Sequence, residues 1–263
     1  MVDPIYTAAN CTPAFQLRWS LALFQHQTLP EPGDWLEPLK QVVEKDGVRI
    51  LEAQFRSPKS WLFLLSSAPS ISPSNIVKSV KGRWQHLLRP SHSNAFQRNF
   101  SISSVGDPTA DSVAGYIDKQ LAHHGIKDVR LVAELCDFQW NNPGVDLNQP
   151  RFSAHGRYIY NLHLVFVHQK CWSALERENW ETTRRMVRQA SDRKGNLLSR
   201  LGLLPDHVHI LLGCYPSESP QEVAFGYMIK LAFAHAMTHV FAFGYYSGTV
   251  GRYDMRAIWK NLE

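Results

Sequence analysis

Leu204-Pro205-Asp206-His207-Val208-His209-Ile210-Leu211-Leu212 reads as a turn running into a buried strand. Alternate side chains of a strand share a face, so His207 and His209 project together while Val208 turns into the core. Two imidazoles on one face form a two-nitrogen corner for a divalent cation. Alone the pair is weak evidence, because a strand histidine is more often at the surface or hydrogen-bonded in a core. The stretch decides the fold because it has a counterpart: Trp61-Leu62-Phe63-Leu64-Leu65 stands at the same place in an earlier run of elements.

Working outward, the match extends in both directions at an offset of about 145 residues. Ser20-Leu21-Ala22-Leu23-Phe24-Gln25-His26-Gln27 recurs loosely as Asn161-Leu162-His163-Leu164-Val165-Phe166-Val167-His168-Gln169. The segments 35–45 and 174–193 both show helical periodicity, and each leads through a glycine, Gly47 or Gly195, into a strand-like run. Ser72-Pro73 matches Ser219-Pro220, each a serine cap with proline in the first turn of a helix. Phe100-Ser101-Ile102-Ser103-Ser104-Val105-Gly106 parallels Tyr245-Tyr246-Ser247-Gly248-Thr249-Val250-Gly251. Each copy therefore runs strand, helix, strand, strand, helix, strand, helix. The expected class is α+β: two copies of a ferredoxin-like or RRM-like antiparallel sheet with helices on its faces. The domains run 1–138 and 153–263, with the Asn-, Pro- and Gly-rich stretch 139–152 as linker. One large α/β domain with fortuitous similarity is the alternative.

The chain's 263 residues, 44% hydrophobic, suffice for one large domain or two of half that size. A net charge of +5 suits nucleic acid without demanding it. Cys11, Cys136, Cys171 and Cys214 are scattered without C-x-x-C spacing, which argues against a zinc knuckle or a disulfide framework and for a reducing, cytoplasmic setting. No basic segment leads into an apolar one at the N-terminus, so no secretory signal is expected. The most apolar stretch, 223–246, is interrupted by Lys230, His235 and His239 and reads as a buried helix and turn, not a membrane span.

The two copies are broken in complementary ways. After Gly106 the first continues as a turn and a helix beginning near Pro108 or Thr109, on which Tyr116 and Gln120 lie one turn apart and share a face. It shows Trp61 and Phe63 where the second copy has histidines. The second copy has His207 and His209, but its last helix, 252–263, offers Trp259 or Asn261 where the tyrosine should fall. Tyr253 follows Gly251 too closely to serve, and Tyr245-Tyr246 reads as core. Neither half completes a site. Together they hold two imidazoles, one amide oxygen and one phenol.

On these motifs both halves resemble the single-tyrosine HUH-endonuclease transposases of the insertion-sequence 200/605 type. The likeness runs from about residue 15 to 122 and from about 157 to 261. Its anchors are 204–212 in the second half. In the first half they are Ala68-Pro69, the run 72–83, and 104–106 through Tyr116 and Gln120. The resemblance implies a homodimer in which the tyrosine helix of one subunit completes the histidine pair of the other. Here it implies such a dimer fused into a pseudo-dimer with one intact site. His207 and His209, with Gln120 as third ligand, would hold Mg²⁺ or Mn²⁺, and Tyr116 would be the nucleophile. The implied partner is single-stranded or hairpin DNA, with no membrane; pairing of two such chains into a further homodimer stays open, and one site per chain puts a full transposition cycle in doubt.

The residue types suit that chemistry. Breaking a phosphodiester without water as nucleophile needs an attacking oxygen, a cation on the non-bridging oxygens and in-line geometry. A phenolate is a moderate nucleophile and a good leaving group, which favours strand transfer over hydrolysis. Imidazole and amide ligands leave positions on a hard ion open for phosphate and water. Lys78, Lys81, Arg83 and Arg89, on or after the helix opened by Ser72-Pro73, are candidate phosphate contacts, as is Arg98, or else a solvated face. Trp84, Trp61 and Trp140 are candidates to stack on bases, Trp61 reading better as packing. His235 and His239 have helical spacing but apolar surroundings and lack the H-E-x-x-H pattern. A domesticated hairpin DNA- or RNA-binding protein without chemistry, and a structural partner in a larger mobile-element complex, are the competing readings.

Overall fold

The computed structural model describes residues 5–57, 59–124, 126–169, 176–236 and 240–252. In chain order the elements are β1 (Thr12–Gln16), β2 (Arg18–Gln25), α1 (Pro32–Glu44), β3 (Val48–Ser57), β4 (Ser60–Ser67), α2 (Pro73–Leu88), β5 (Phe96–Val105), α3 (Ala110–His123) and α4 (Val129–Phe138). There follow β6 (Trp140–Asn141), β7 (Arg151–Phe152), β8 (Gly156–Ile159), β9 (Asn161–Val167), α5 (Arg177–Lys194), β10 (Leu197–Leu203), β11 (His207–Gly213), α6 (Pro220–Ala234) and β12 (Gly244–Thr249). The architecture is α+β, with two six-stranded sheets. The final helix expected over 252–263, with Tyr253, Trp259 and Asn261, lies outside the described residues from 253 on, as do Cys171 and His239.

Local sequence sets the punctuation. Ser72 accepts a hydrogen bond from the Asn75 N–H ahead of Pro73, and Ser219 forms a full capping box with Glu222 ahead of Pro220. Gly195 closes α5 at φ 65°, a left-handed turn that a side chain would strain. The first sheet runs β3-β4-β2-β5-β8-β7 and the second β1-β12-β9-β11-β10-β6. Strands β3-β4-β2-β5 of the first and β10-β11-β9-β12 of the second are antiparallel and in corresponding order, and each set gains one parallel neighbour from elsewhere in the chain: β8 beside β5, β1 beside β12.

Those parallel neighbours are exchanged strands. β1 lies in the second sheet and, past Leu17, the chain enters the first as β2; β8 lies in the first and, past Tyr160, enters the second as β9. The crossings are tied reciprocally. Ser104 Oγ donates to the Val250 carbonyl and accepts from the Asn161 N–H, while Thr249 Oγ1 donates to the Val105 carbonyl and accepts from the Arg18 N–H. A Cβ at Gly106 would sit 2.2 Å from the Thr249 carbonyl oxygen, and one at Gly251 2.2 Å from that of Ser104. Backbone cannot yield as a side-chain tip can. Gly106→Ala is therefore expected to lower unfolding free energy by about 3 kcal/mol, read by urea denaturation; an unchanged midpoint would show that the seam is not this close.

These reciprocal bonds fix which residues of the two sheets correspond. Arg18 and Asn161 are equivalents, so Trp19 corresponds to Leu162, and their cross-strand partners Leu65 and Leu212 correspond too. His207 and His209 thus answer to Ser60 and Leu62. The expected correspondence with Trp61 and Phe63 is off by one residue, and one residue reverses the face. Trp61, Phe63 and Leu65 share the helix-covered core with Val208, Ile210 and Leu212. The slip arose because β4 is apolar on both faces, so its sequence has no alternation to mark register. Likewise Leu162 answers to Trp19, not Leu21, and His163 to Ser20.

Under β3, β4, β2 and β5 the core is aromatic: Trp84 packs 4.1 Å from Trp35 and 5.3 Å from Phe63, with Trp61 edge-on at 5.7 Å. The stretch 139–152 is built into the sheets, β6 pairing with β10 and β7 with β8. Among the described residues no helix is long and apolar enough to cross a membrane.

Candidate metal centre

Helix α3 starts where Thr109 Oγ1 accepts from the Ser112 N–H and, although it follows the first sheet in sequence, packs on β10 and β11 of the second. Its stripe of Ala110, Val113 and Ile117 buries against Leu147, Leu211 and Val250. Arg200 of β10 holds Asp118 at 3.0 Å. Next to the apolar stripe run Tyr116, Gln120 and His124, spaced one turn apart. His124 is the C-cap residue.

This edge meets the histidine pair. The Tyr116 ring lies 5.5 Å from that of His209, at 81° to it, and the His124 ring 4.9 Å from that of His207. The ligand nitrogens of His124, His207 and His209 all fall within 4.8 Å of one another. Tyr116 is 44% exposed and so open to a large substrate, whereas His209 is buried.

The outer hydrogen bonds aim the rings. His207 Nδ1 is 2.7 Å from Asp206 Oδ1, and since a carboxylate only accepts, Nδ1 carries the proton. His209 Nδ1 is 2.9 Å from Nε2 of His163 on β9. With the proton of that bond on His209 Nδ1, both Nε2 atoms present lone pairs, and these face each other at 2.8 Å. Two lone pairs at that distance repel unless a proton or a cation lies between them. Metal–imidazole bonds of about 2.1 Å place neighbouring ligand nitrogens about 3 Å apart, so the pair fits an ion, with Asp206 and His163 as the orienting outer partners such ligands use. Burial, then the neighbouring His163 and His207, push His209 down to about 2; burial takes His163 down to about 4, and burial also lowers His207 against the pull of Asp206. Burial thus keeps these rings neutral, the form in which an imidazole can ligate a cation.

Gln120 is fully buried. Its Nε2 donates to Gln139 Oε1, and Gln139 is fixed by the Leu203 N–H and by the carbonyls of Leu135 and Leu203. Gln120 Oε1 is left without a partner among the described residues, an acceptor of the kind a hard cation takes. A Cβ at position 202 would fall 2.0 Å from Gln120 Nε2, so Gly202 makes room for it. His124, His163 and Gln139 escaped the sequence reading. Only His124 had a usable signal, its place one turn beyond Gln120.

Residues 157–261 match the family model described as Transposase IS200 like. Over that stretch the protein is similar to the IS200-like transposases. No curated protein matches the chain. A solved structure with some likeness is a mutant chlorite dismutase from Candidatus Nitrospira defluvii, 13% identical over 93% of this chain and 94% of that one, at a TM-score of 0.23. A likeness so slight carries no argument.

The matched stretch thus contributes His207, His209 and His163, while Tyr116, Gln120 and His124 come from the chain ahead of it. The basic candidates are not at this centre: Lys78, Lys81 and Arg83 lie on α2, and Arg89 caps it, above the first sheet. Lys81 Nζ is spent on the Gln97 and Arg98 carbonyls. Arg83 forks onto Asp46, whose carboxyl is held below the usual range first by that bond and then by Ser79. Lys78 and Arg89 are exposed. A depressed carboxyl stabilises the fold above its unfolded pKa, about 4, and ceases to as pH falls through its folded value. Asp46→Asn is therefore expected to lower the melting temperature at pH 7 and to converge with the parent as pH falls below the ordinary carboxylate range; a constant gap across pH would refute the pairing.

Trp61 and Trp84 are core residues and cannot stack on bases, and Arg188 covers the Trp140 ring at 3.9 Å. His235 bonds Thr183 across α5 and α6. Tyr245 is core as expected, but Tyr246 is half-buried and its ring lies 5.8 Å from that of His163, on the histidine face.

Proposed function

We propose that this protein is a metal-dependent single-stranded DNA endonuclease and strand transferase, working through a 5'-phosphotyrosine at one composite site. The observation that carries it is the Tyr116 ring, from the first half, lying against His209, which with its neighbour His207 comes from the second. We read the chain as two fused transposase-like domains, 1–138 and 153–263 joined by 139–152, standing to each other as subunits of a dimer. The reciprocal strand exchange supports that reading.

His207, His209 and Gln120 hold the cation, Mg²⁺ or Mn²⁺. When bound, it neutralises charge on the non-bridging phosphate oxygens and so favours attack at phosphorus. Tyr116 Oη attacks the scissile phosphorus; a Tyr–O–P bond forms as the P–O3' bond breaks, and the phenolic proton passes through solvent to the departing 3' oxygen. Reversal with a different 3'-OH transfers the strand. Ser60, Leu62 and Ser20 offer no imidazole at the corresponding place in the first sheet, which restricts the chain to one site.

Labelled single-stranded hairpin DNA with Mn²⁺ tests this. A protein–DNA adduct surviving denaturation is the expected result; tight binding with no adduct would favour the domesticated hairpin binder, for which the loss of one histidine set is the supporting observation. DNA as partner and a cytoplasmic location follow from this reading.

A further inference from the structure

The centre draws a third imidazole from α3, and we propose that His124 is a metal ligand that turns the site toward transition-metal dications and away from Mg²⁺. This rests on the reading of His207 and His209 as ligands and deepens it, narrowing the Mg²⁺-or-Mn²⁺ choice to Mn²⁺ and its transition-metal neighbours. His124 lies one turn beyond Gln120, its ring 4.9 Å from that of His207 and its ligand nitrogen within 4.8 Å of those of both strand histidines. It is exposed, at the helix end, whereas His163 and Asp206 bond the Nδ1 side of the pair, away from the Nε2 atoms that face each other.

The consequence is chemical. Mg²⁺ prefers oxygen, sheds water reluctantly and is held through carboxylates and phosphates. Imidazole suits Mn²⁺ weakly and Co²⁺, Ni²⁺ and Zn²⁺ increasingly well. Two imidazoles and an amide oxygen form a mixed set; three imidazoles and an amide oxygen form a nitrogen-rich one. His124 and Gln120 ride on α3 while His207 and His209 sit on β11, so the same ion also pins the nucleophile helix to the histidine strand.

The test is metal binding by the full chain, without DNA. Calorimetry and Co²⁺ absorption are expected to show Co²⁺ and Zn²⁺ bound at least about 100-fold more tightly than Mg²⁺. His124→Ala should weaken Co²⁺ at least about tenfold and shift its visible spectrum through loss of one nitrogen, leaving Mg²⁺ within about twofold. The Co²⁺-dependent rise in melting temperature should shrink in step. Because His124 is exposed, the variant folds; a parallel His124→Leu variant separates loss of the ligand from loss of bulk and should behave as the alanine. Equal Co²⁺ affinity and spectrum in parent and variants, or Mg²⁺ bound as tightly as Co²⁺, would overturn the assignment. Intact Co²⁺ selectivity without any DNA adduct would instead overturn the nuclease reading and leave this one standing.

Discussion

Tyr116→Phe is expected to leave the protein folded, metal-loaded and bound to DNA while abolishing the covalent adduct and lowering strand cleavage at least about 10³-fold. The variant removes one oxygen from a ring that is 44% exposed, so no buried partner is orphaned and stability should hold within about 0.5 kcal/mol. Phenylalanine keeps the edge-on contact with His209, so the ring stays where the hydroxyl was. Loss of chemistry with binding retained marks a group that acts only in the transition state. Persistence of the adduct would exclude Tyr116 as nucleophile. The next phenol to test is then Tyr246, whose ring lies 5.8 Å from that of His163 and whose hydroxyl burial pushes upward in pKa, which makes it the poorer nucleophile.

The sequence exposed much of this centre and less of the frame that builds it. A residue pair at strand spacing and another at helix spacing are visible because period alone places them: His207 with His209, Tyr116 with Gln120. The capped starts at Ser72-Pro73 and Ser219-Pro220 were equally plain, since the cap is a local event. What needed coordinates was long-range. That β1 and β8 cross into the other sheet depends on Leu17 and Tyr160, single residues with no turn signal around them. The one-residue slip between β4 and β11 reflects strands buried on both faces, where apolar content is legible and register is not. His163 sat unremarked in an apolar run, because its value lies in a bond to His209 on the neighbouring strand. Arg83 and Lys81 looked free because nothing in their own helix announces Asp46 or the Gln97 carbonyl.

Mixing two inactive chains offers the second decisive result. Tyr116→Phe lacks the nucleophile and His207→Leu lacks a ligand; if the site forms within one chain, equal mixtures are expected to show no more adduct than either variant alone. The argument is geometric. Tyr116 reaches His209 because α3 is clamped to β10 by Arg200 and Asp118 and buried against Leu211 and Val250, and the two sheets cannot part without breaking both strand exchanges. Free subunits trade partners in solution, whereas covalently continuous halves locked by reciprocal strands do not. Appearance of adduct on mixing, approaching about a quarter of the parent level for random re-pairing, would mean that α3 of one chain serves the histidines of another. His207 is replaced because its outer partner, Asp206, is exposed, so leucine there leaves no buried group unpaired and a failure to complement cannot be blamed on collapse of the variant.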